Sequence, residues 1–248
     1  MLIKKTLNYS PNFNLKKRDN RQIKFLVFHY TGMKLEVDAI KRLTEIQSEV
    51  SSHYFIKNNG EIVLMVPEPY IAWHAGVSFW KGYKSLNKYS IGIEISNPGH
   101  SHNYKNFSTK QIKSIVKLSK YLIKKYNIKP TSILGHSDIA PNRKKDPGEK
   151  FPWKYLSKKK IGFWHDLNFK NLKKKRKLNI NDQEQNEFIK NLSKIGYLKW
   201  KNIFKSKNVK KLTIAFQRRF RQDLVNGKID QECLLISKNL IKKFNKLS

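Results

Sequence analysis

A chain of 248 residues with 39% apolar and 12% aromatic side chains can fill a real core, which excludes disorder as its default state. No apolar run approaches the roughly 18 residues of a membrane-crossing helix, and the single Cys233 excludes an internal disulfide. A net charge of +34 favours polyanionic partners, but a lysine-, asparagine- and isoleucine-rich composition also suits a solvated basic surface drifting with an AT-biased genome.

The start, MLIKKTLNYSPNFNLKKR, is basic. It lacks the apolar stretch of about 7–15 residues and the small-residue cleavage site of a secretory signal, so a cytoplasmic product is expected. KFLVFHYTG (24–32) is a short apolar run ending at Gly32 and reads as a strand buried on both faces. Alternation puts Phe25, Val27 and His29 on one side and Leu26, Phe28 and Tyr30 on the other. VDAIKRLTEIQ (37–47) spaces Val37, Ile40, Leu43 and Ile46 as a helix would. HYFIKNNGEIVLMVP (53–67) predicts a hairpin with Asn59-Gly60 as a two-residue turn. In YSIGIEIS (89–96), Ile91, Ile93 and Ile95 face one way and Gly92, Glu94 and Ser96 the other. STKQIKSIVKLSKYLIKKYNI (108–128) opens with a Ser/Thr cap and carries Ile112, Ile115, Leu118 and Leu122 as its buried stripe. TSILGH (131–136) is a further strand. Interleaved strands and helices predict an α/β catalytic domain over 1–165 with a mixed central β-sheet flanked by helices.

Residues 166–181 read as a basic linker, because the run Lys173-Lys174-Lys175-Arg176-Lys177 repels itself and favours an extended, solvated chain. Three helical stretches then predict a small all-α domain over 182–248. The first buries Phe188, Leu192 and Ile195 and stops at Gly196. The second buries Val209, Leu212, Phe216 and Phe220, and the third Cys233, Ile236, Leu240 and Phe244. A turn with Asn226-Gly227 at its tip separates the last two.

The chemistry concentrates in LGHSDIAPNRKKDPGEKFPW (134–153), where a histidine, a lysine and an aspartate share one proline-stiffened loop. His29 and His136 each end a predicted strand, so they can meet at one sheet edge, and the loop is long enough to bring Asp146 back as a third ligand. Two imidazoles and a carboxylate with a fourth position open suit a catalytic zinc site. The alternative is a satisfied core histidine and two ordinary turn residues. Glu94 sits mid-strand among apolar neighbours and must be paired or have a raised pKa. That suits a general base, although a salt bridge to lysine would also satisfy it. Lys144, two residues before Asp146, can face a developing oxyanion or be one surface lysine among many. YIAWHAGVSFWKG (70–82) mixes aromatics with glycines and reads as a substrate rim or as core packing. His74 there competes with His29 as a ligand, with substrate contact the favoured role. His53 reads as structural, and His100, His102 and His165 receive no role.

Six stretches now carry a resemblance: SPNFN, FLVFHYTGM, SSHYFI, AWHAGVSFW, NKYSIGIEISNPGH and LGHSDIAPNRKKDPGEKFPW, in order across about residues 10–164. Together they resemble the zinc-dependent N-acetylmuramoyl-L-alanine amidases of the AmpD/AmiD type, which share the fold of peptidoglycan recognition proteins. LTIAFQRRFRQDLVNGKID resembles the helical peptidoglycan-binding domain that follows the catalytic domain in AmiD-like enzymes. The resemblance implies Zn2+ held by His29, His136 and Asp146, with Glu94 and Lys144 catalytic. Tyr30, Trp73, His74 and Asn87 are the substrate-binding candidates. The implied reaction is hydrolysis of the amide joining the lactyl group of N-acetylmuramic acid to L-alanine, in peptidoglycan or muropeptides. AmiD relatives are commonly exported, so a periplasmic or envelope location stands beside the cytoplasmic one. Rival readings are a non-catalytic recognition module, a zinc peptidase of related fold and a nucleic-acid binder. Against the last, the sequence has no helix-turn-helix or zinc-finger spacing.

Overall fold

The run Phe25–Tyr30 lies inside a six-stranded sheet with a neighbour on each side. The computed structural model describes residues 4–5, 9–197 and 206–247, so most of the first eight residues of the basic start lie outside it. Its strands in chain order are β1 (Lys4–Lys5), β2 (Phe13–Asn14), β3 (Phe25–Tyr30), β4 (Tyr54–Ile56), β5 (Ile62–Leu64), β6 (Ile71–Ala72), β7 (Phe79–Trp80), β8 (Tyr83–Lys84), β9 (Ser90–Ile95) and β10 (Ile133–Gly135). Its helices are α1 (Glu36–Thr44), α2 (Thr109–Tyr126), α3 (His136–Ile139), α4 (Trp153–Lys158), α5 (Phe169–Lys175), α6 (Asp182–Ile195), α7 (Ser206–Phe220) and α8 (Gln231–Leu247).

The sheet order is β1-β5-β4-β9-β3-β10. Neighbours from β4 to β10 and β1 with β5 run parallel, and β4 with β5 is antiparallel. This is the mixed α/β sheet that the interleaved elements predicted. β2 with β6 and β7 with β8 form two short antiparallel ribbons beside it. The alternation of β3 divides two cores as expected. Leu26 and Phe28 pack with Ile115, Leu118 and Leu122 of α2 and with Trp153 and Leu156 of α4. Phe25 and Val27 pack on the other face, with Trp80 and the C-terminal helices. The α2 cap is a full capping box, with Ser108 accepting from the Gln111 backbone and Gln111 accepting from Ser108.

Local expectations fail where the pattern is short. The hairpin turn has three loop residues: Gly60 donates to the Lys57 carbonyl and takes the left-handed conformation (φ +85°), while Asn59 does not. In α1 the buried residues are Ala39 and Leu43, which pack on Phe55, Val63 and Met65. Val37 and Ile46 are 66% and 63% exposed.

The stretch expected to be extended is also different, since residues 169–175 form α5, capped by Asn168, with Leu172 buried in the core. Its charge is met from outside. Arg176 donates to Glu232 (2.5 and 3.0 Å) and to Asp223 (3.0 Å). The three C-terminal helices bury Phe188, Leu192 and Ile195, then Leu212, Phe216 and Phe220, then Cys233, Ile236, Leu240 and Phe244. Val209 is partly buried. These residues share one core with β3. A buried ion pair joins the same units. Arg219 of α7 donates to Asp138 of α3 and to the Ile133 carbonyl, and Tyr197 donates to Asp138 at 2.7 Å.

Candidate metal centre

Parallel pairing sets the site. β10 lies beside β3 with Gly135 opposite Phe28, so His136, the next residue, emerges alongside His29. Ser137 donates its backbone N–H to the Asp146 carbonyl at 2.8 Å, which folds the proline-rich loop back onto α3. Tyr104 holds the following turn by donating to the Pro147 carbonyl.

His29, His136 and Asp146 therefore converge, and all three are buried. Nδ1 of His29 lies 2.9 Å from Nδ1 of His136, and Asp146 Oδ2 lies 3.1 and 3.0 Å from the two nitrogens. The chemistry of these atoms tests whether a cation fits. His136 turns Nε2 to the Ala75 carbonyl at 3.1 Å. A carbonyl only accepts, so Nε2 carries a proton, which leaves Nδ1 as the ring atom able to offer a lone pair to a cation. Burial pushes Asp146 up, but the two imidazoles outweigh it and hold the carboxyl well below its ordinary range. Burial, and then the neighbouring His136, push His29 down to about 4 against the pull of Asp146, so its ring is neutral at pH 7. Lone pairs turned on one another in this way repel until a cation sits among them. A tetrahedral ion about 2.0–2.2 Å from each donor spaces its ligands roughly 3.3–3.5 Å apart, a few tenths beyond the separations seen. The group can hold a metal ion.

Glu94 is the register partner of His29 across β3 and β9, so the two side chains leave the sheet on the same face. Its Oε2 is shut off from solvent and has no hydrogen-bond partner among the described residues. Burial first, then the charge of Asp146, push Glu94 up to about 8, with Lys144 opposing. A cavity of about 400 Å³ opens over the group, and Tyr30, Trp73, Glu94, His136, Lys144 and Asp146 are among its walls.

A model of the N-acetylmuramoyl-L-alanine amidase family matches residues 19–149. Escherichia coli AmiD is 36% identical over 235 residues, covering 90% of this chain and 84% of AmiD. The chain belongs to the N-acetylmuramoyl-L-alanine amidase family. The structure of E. coli AmiD with its substrate anhydro-N-acetylmuramic acid-L-Ala-D-γ-Glu-L-Lys matches at a TM-score of 0.78, with 34% identity and 90% of each chain covered. The structure of Pseudomonas aeruginosa AmpDh3 with an anhydromuramic pentapeptide also matches at 0.78, with 28% identity over 98% of this chain and 99% of that one. AmpD of Haemophilus influenzae is 37% identical over 168 residues, 60% of this chain and 88% of AmpD.

The remaining sequence candidates of this amidase divide. Tyr30 and Trp73 line the cavity. The Tyr30 hydroxyl meets His100 Nδ1 at 2.8 Å, and Trp73 donates to Asn14 at 2.7 Å. His74 lines the same cavity, and Asn87 is not among its lining residues. Both His74 nitrogens are taken, one by His29 and one by Ser90. The Asn87 side-chain carbonyl accepts from the backbone of His74 and Ala75 at 3.1 and 2.6 Å. Residues missed from sequence include Arg143, which latches the metal loop to the Ala75 and Val77 carbonyls, and Glu149, which meets the far side of His100 at 3.1 Å. Arg143 was visible as a cation next to Lys144. Nothing in the spacing links residue 149 to residue 100.

Proposed function

We propose that this amidase hydrolyses the amide between the lactyl group of N-acetylmuramic acid and L-alanine, in peptidoglycan or muropeptides, using zinc held by His29, His136 and Asp146. One observation carries the reading: three ligand atoms within 3.1 Å of one another stand beside a half-buried carboxylate with an unpartnered oxygen. Two nitrogens and one oxygen are a donor set that zinc accepts, and zinc so bound supplies Lewis acidity. Glu94 takes a proton from the attacking water as its oxygen bonds to the scissile carbonyl carbon, and returns it to the L-alanine nitrogen as the C–N bond breaks. Its raised proton affinity suits the holding of that proton until it is returned, and a cation bound beside it would lower the affinity enough for the carboxylate to take the proton first. Lys144, in the cavity wall, holds the developing oxyanion. Tyr30 and Trp73 offer ring faces to the sugar or stem peptide.

The division into a catalytic unit over 1–165 and a peptidoglycan-binding helical unit over 182–248 belongs to the same reading, supported by the match to AmiD along 90% of the chain. No helix among the described residues is long and apolar enough to cross a membrane. A cytoplasmic enzyme would meet released muropeptides, and an enzyme in the envelope the intact polymer. Digestion of a defined muropeptide with and without a chelator, read by mass spectrometry, tests bond and metal together. The products expected are the free stem peptide and the muramic acid sugar, with loss on chelation and recovery with zinc. Cleavage inside the stem peptide, or turnover indifferent to chelator, refutes the reading.

A further inference from the structure

The metal site has a second rank built from one dipeptide, His74-Ala75. The Ala75 carbonyl accepts from His136 Nε2 at 3.1 Å. The His74 ring meets His29, with Nδ1 of His74 3.0 Å from Nε2 of His29. Which of these two nitrogens carries the proton decides what His29 offers the metal. If His29 holds its proton on Nε2, then Nδ1 is bare and can ligate. If it holds the proton on Nδ1, it cannot.

Hydrogen-bond accounting fixes the answer from the far end. The Ser90 hydroxyl has one hydrogen and lies 2.6 Å from the Leu86 carbonyl, an acceptor only. That hydrogen is committed, so toward His74 Nε2, 3.1 Å away, Ser90 can only accept. His74 therefore carries its proton on Nε2. As a neutral ring it has no other, and its Nδ1 is an acceptor. His29 must then donate from Nε2, which leaves Nδ1 bare and turned toward His136 and Asp146. The frame around this chain is tight. Asn87 accepts from both backbone N–H groups of the dipeptide. A Cβ on Gly92 would lie 2.4 Å from the His74 ring, so the glycine is what lets the ring sit against β9.

We propose that His74, oriented by Ser90, is a positioning residue that sets the tautomer of His29 so that Nδ1 is presented to the metal. The relay runs from the Leu86 carbonyl through Ser90 and His74 to His29. It rests on the reading of His29, His136 and Asp146 as a zinc site. His74 lies outside the ligand group and acts on the metal through its neighbour.

The test compares wild type with His74→Leu, His74→Gln and Ser90→Ala, all as full-length protein. Zinc affinity is measured by competition with a chromophoric chelator, and histidine tautomers by long-range ¹H–¹⁵N NMR of the metal-free proteins. Wild-type binding comes first: if wild type takes up no zinc, the metal reading fails. Given that binding, metal-free wild type should show His29 protonated on Nε2. His74→Leu should lose about 10–100-fold in zinc affinity, as outer-rank partners of ligand histidines do, and its His29 should populate both tautomers. Glutamine offers an acceptor and a donor at nearly the ring's spacing, so His74→Gln should recover most of the affinity. Ser90→Ala keeps the ring and should show a smaller loss with a mixed His29 tautomer, which keeps the test open should His74→Leu misfold. Unchanged affinity in both His74→Leu and Ser90→Ala overturns the proposal. So does equal loss in the leucine and glutamine variants, or a His29 tautomer that Ser90→Ala leaves alone.

Discussion

Replacing Glu94 with glutamine should stabilise the metal-free protein, and by an amount that depends on pH. The carboxyl is pushed from its ordinary 4.5 to about 8 by burial and by the charge of Asp146. Below pH 4.5 the group is protonated whether the chain is folded or not, and it contributes nothing. Between 4.5 and 8 the unfolded chain releases this proton while the folded chain keeps it. The folded state then binds more protons, so stability falls as pH rises, and the fall levels off above pH 8. At about 1.4 kcal/mol per pH unit, the accumulated cost is roughly 5 kcal/mol. Glutamine keeps the shape and cannot ionise, so the variant escapes this cost. Urea denaturation in excess chelator at several pH values from 5 to 9 measures it. The variant and wild type should be close at pH 5, and the variant should lead by up to roughly 5 kcal/mol at pH 9. Other titrating groups cancel in the difference. Added zinc should shrink the gap, because a cation nearby lowers the carboxyl's proton affinity. A difference that does not change with pH would refute the burial argument and remove the physical basis for Glu94 as a base.

Glu94→Ala should keep zinc and lose turnover, whereas His136→Ala should lose both; metal analysis of the purified variants separates the two roles. Lys144→Met should keep the metal and lower kcat by about 10²–10³-fold, the scale of one oxyanion donor, which steady-state kinetics reads directly. Arg219→Met strips a buried carboxylate of its cation, leaving Asp138 with the Tyr197 hydroxyl and the Gly135 N–H alone. Such a loss costs about 3–5 kcal/mol, visible as a lower urea midpoint at unchanged slope.

The sequence was most readable where a single residue broke a strong pattern. Glu94 stood out as a charge in an alternating isoleucine strand, and it lies in the site. His29 and His136 stood out as strand ends, and parallel pairing of β3 with β10 brings them together. Elsewhere, composition misled because the deciding partners are remote in sequence. The lysine run after 172 suggested an extended chain, but Arg176 meets Asp223 and Glu232, about fifty residues further along the sequence, and α5 packs down through Leu172. The α1 stripe held at Ile40 and Leu43, which pack on the core with Ala39, and failed at its ends, where Val37 sits in the first turn and Ile46 lies past the helix end at Thr44. His74 reads as a substrate contact because aromatics beside glycines resemble a rim, and Asn87 is a candidate through the resemblance. Only the fold shows Ser90 and His29 on either side of the His74 ring, engaging both its nitrogens while the ring borders the cavity.

One face of β9 explains why Glu94 and His74 sit so close together. Residues two apart on a strand share a face, and Gly92 and Glu94 are two apart on the face turned to His29 and His74. At 92 a side chain would collide with the His74 ring. At 94 a side chain is needed beside His29. The glycine therefore clears the space in which the ligand's tautomer is set, and the glutamate fills the space in which the proton moves. The isoleucine alternation by itself does not call for glycine at one position and glutamate at the other. What requires both is a histidine on the neighbouring strand that must show a bare nitrogen to a cation while a carboxylate stands next to it, uncommitted.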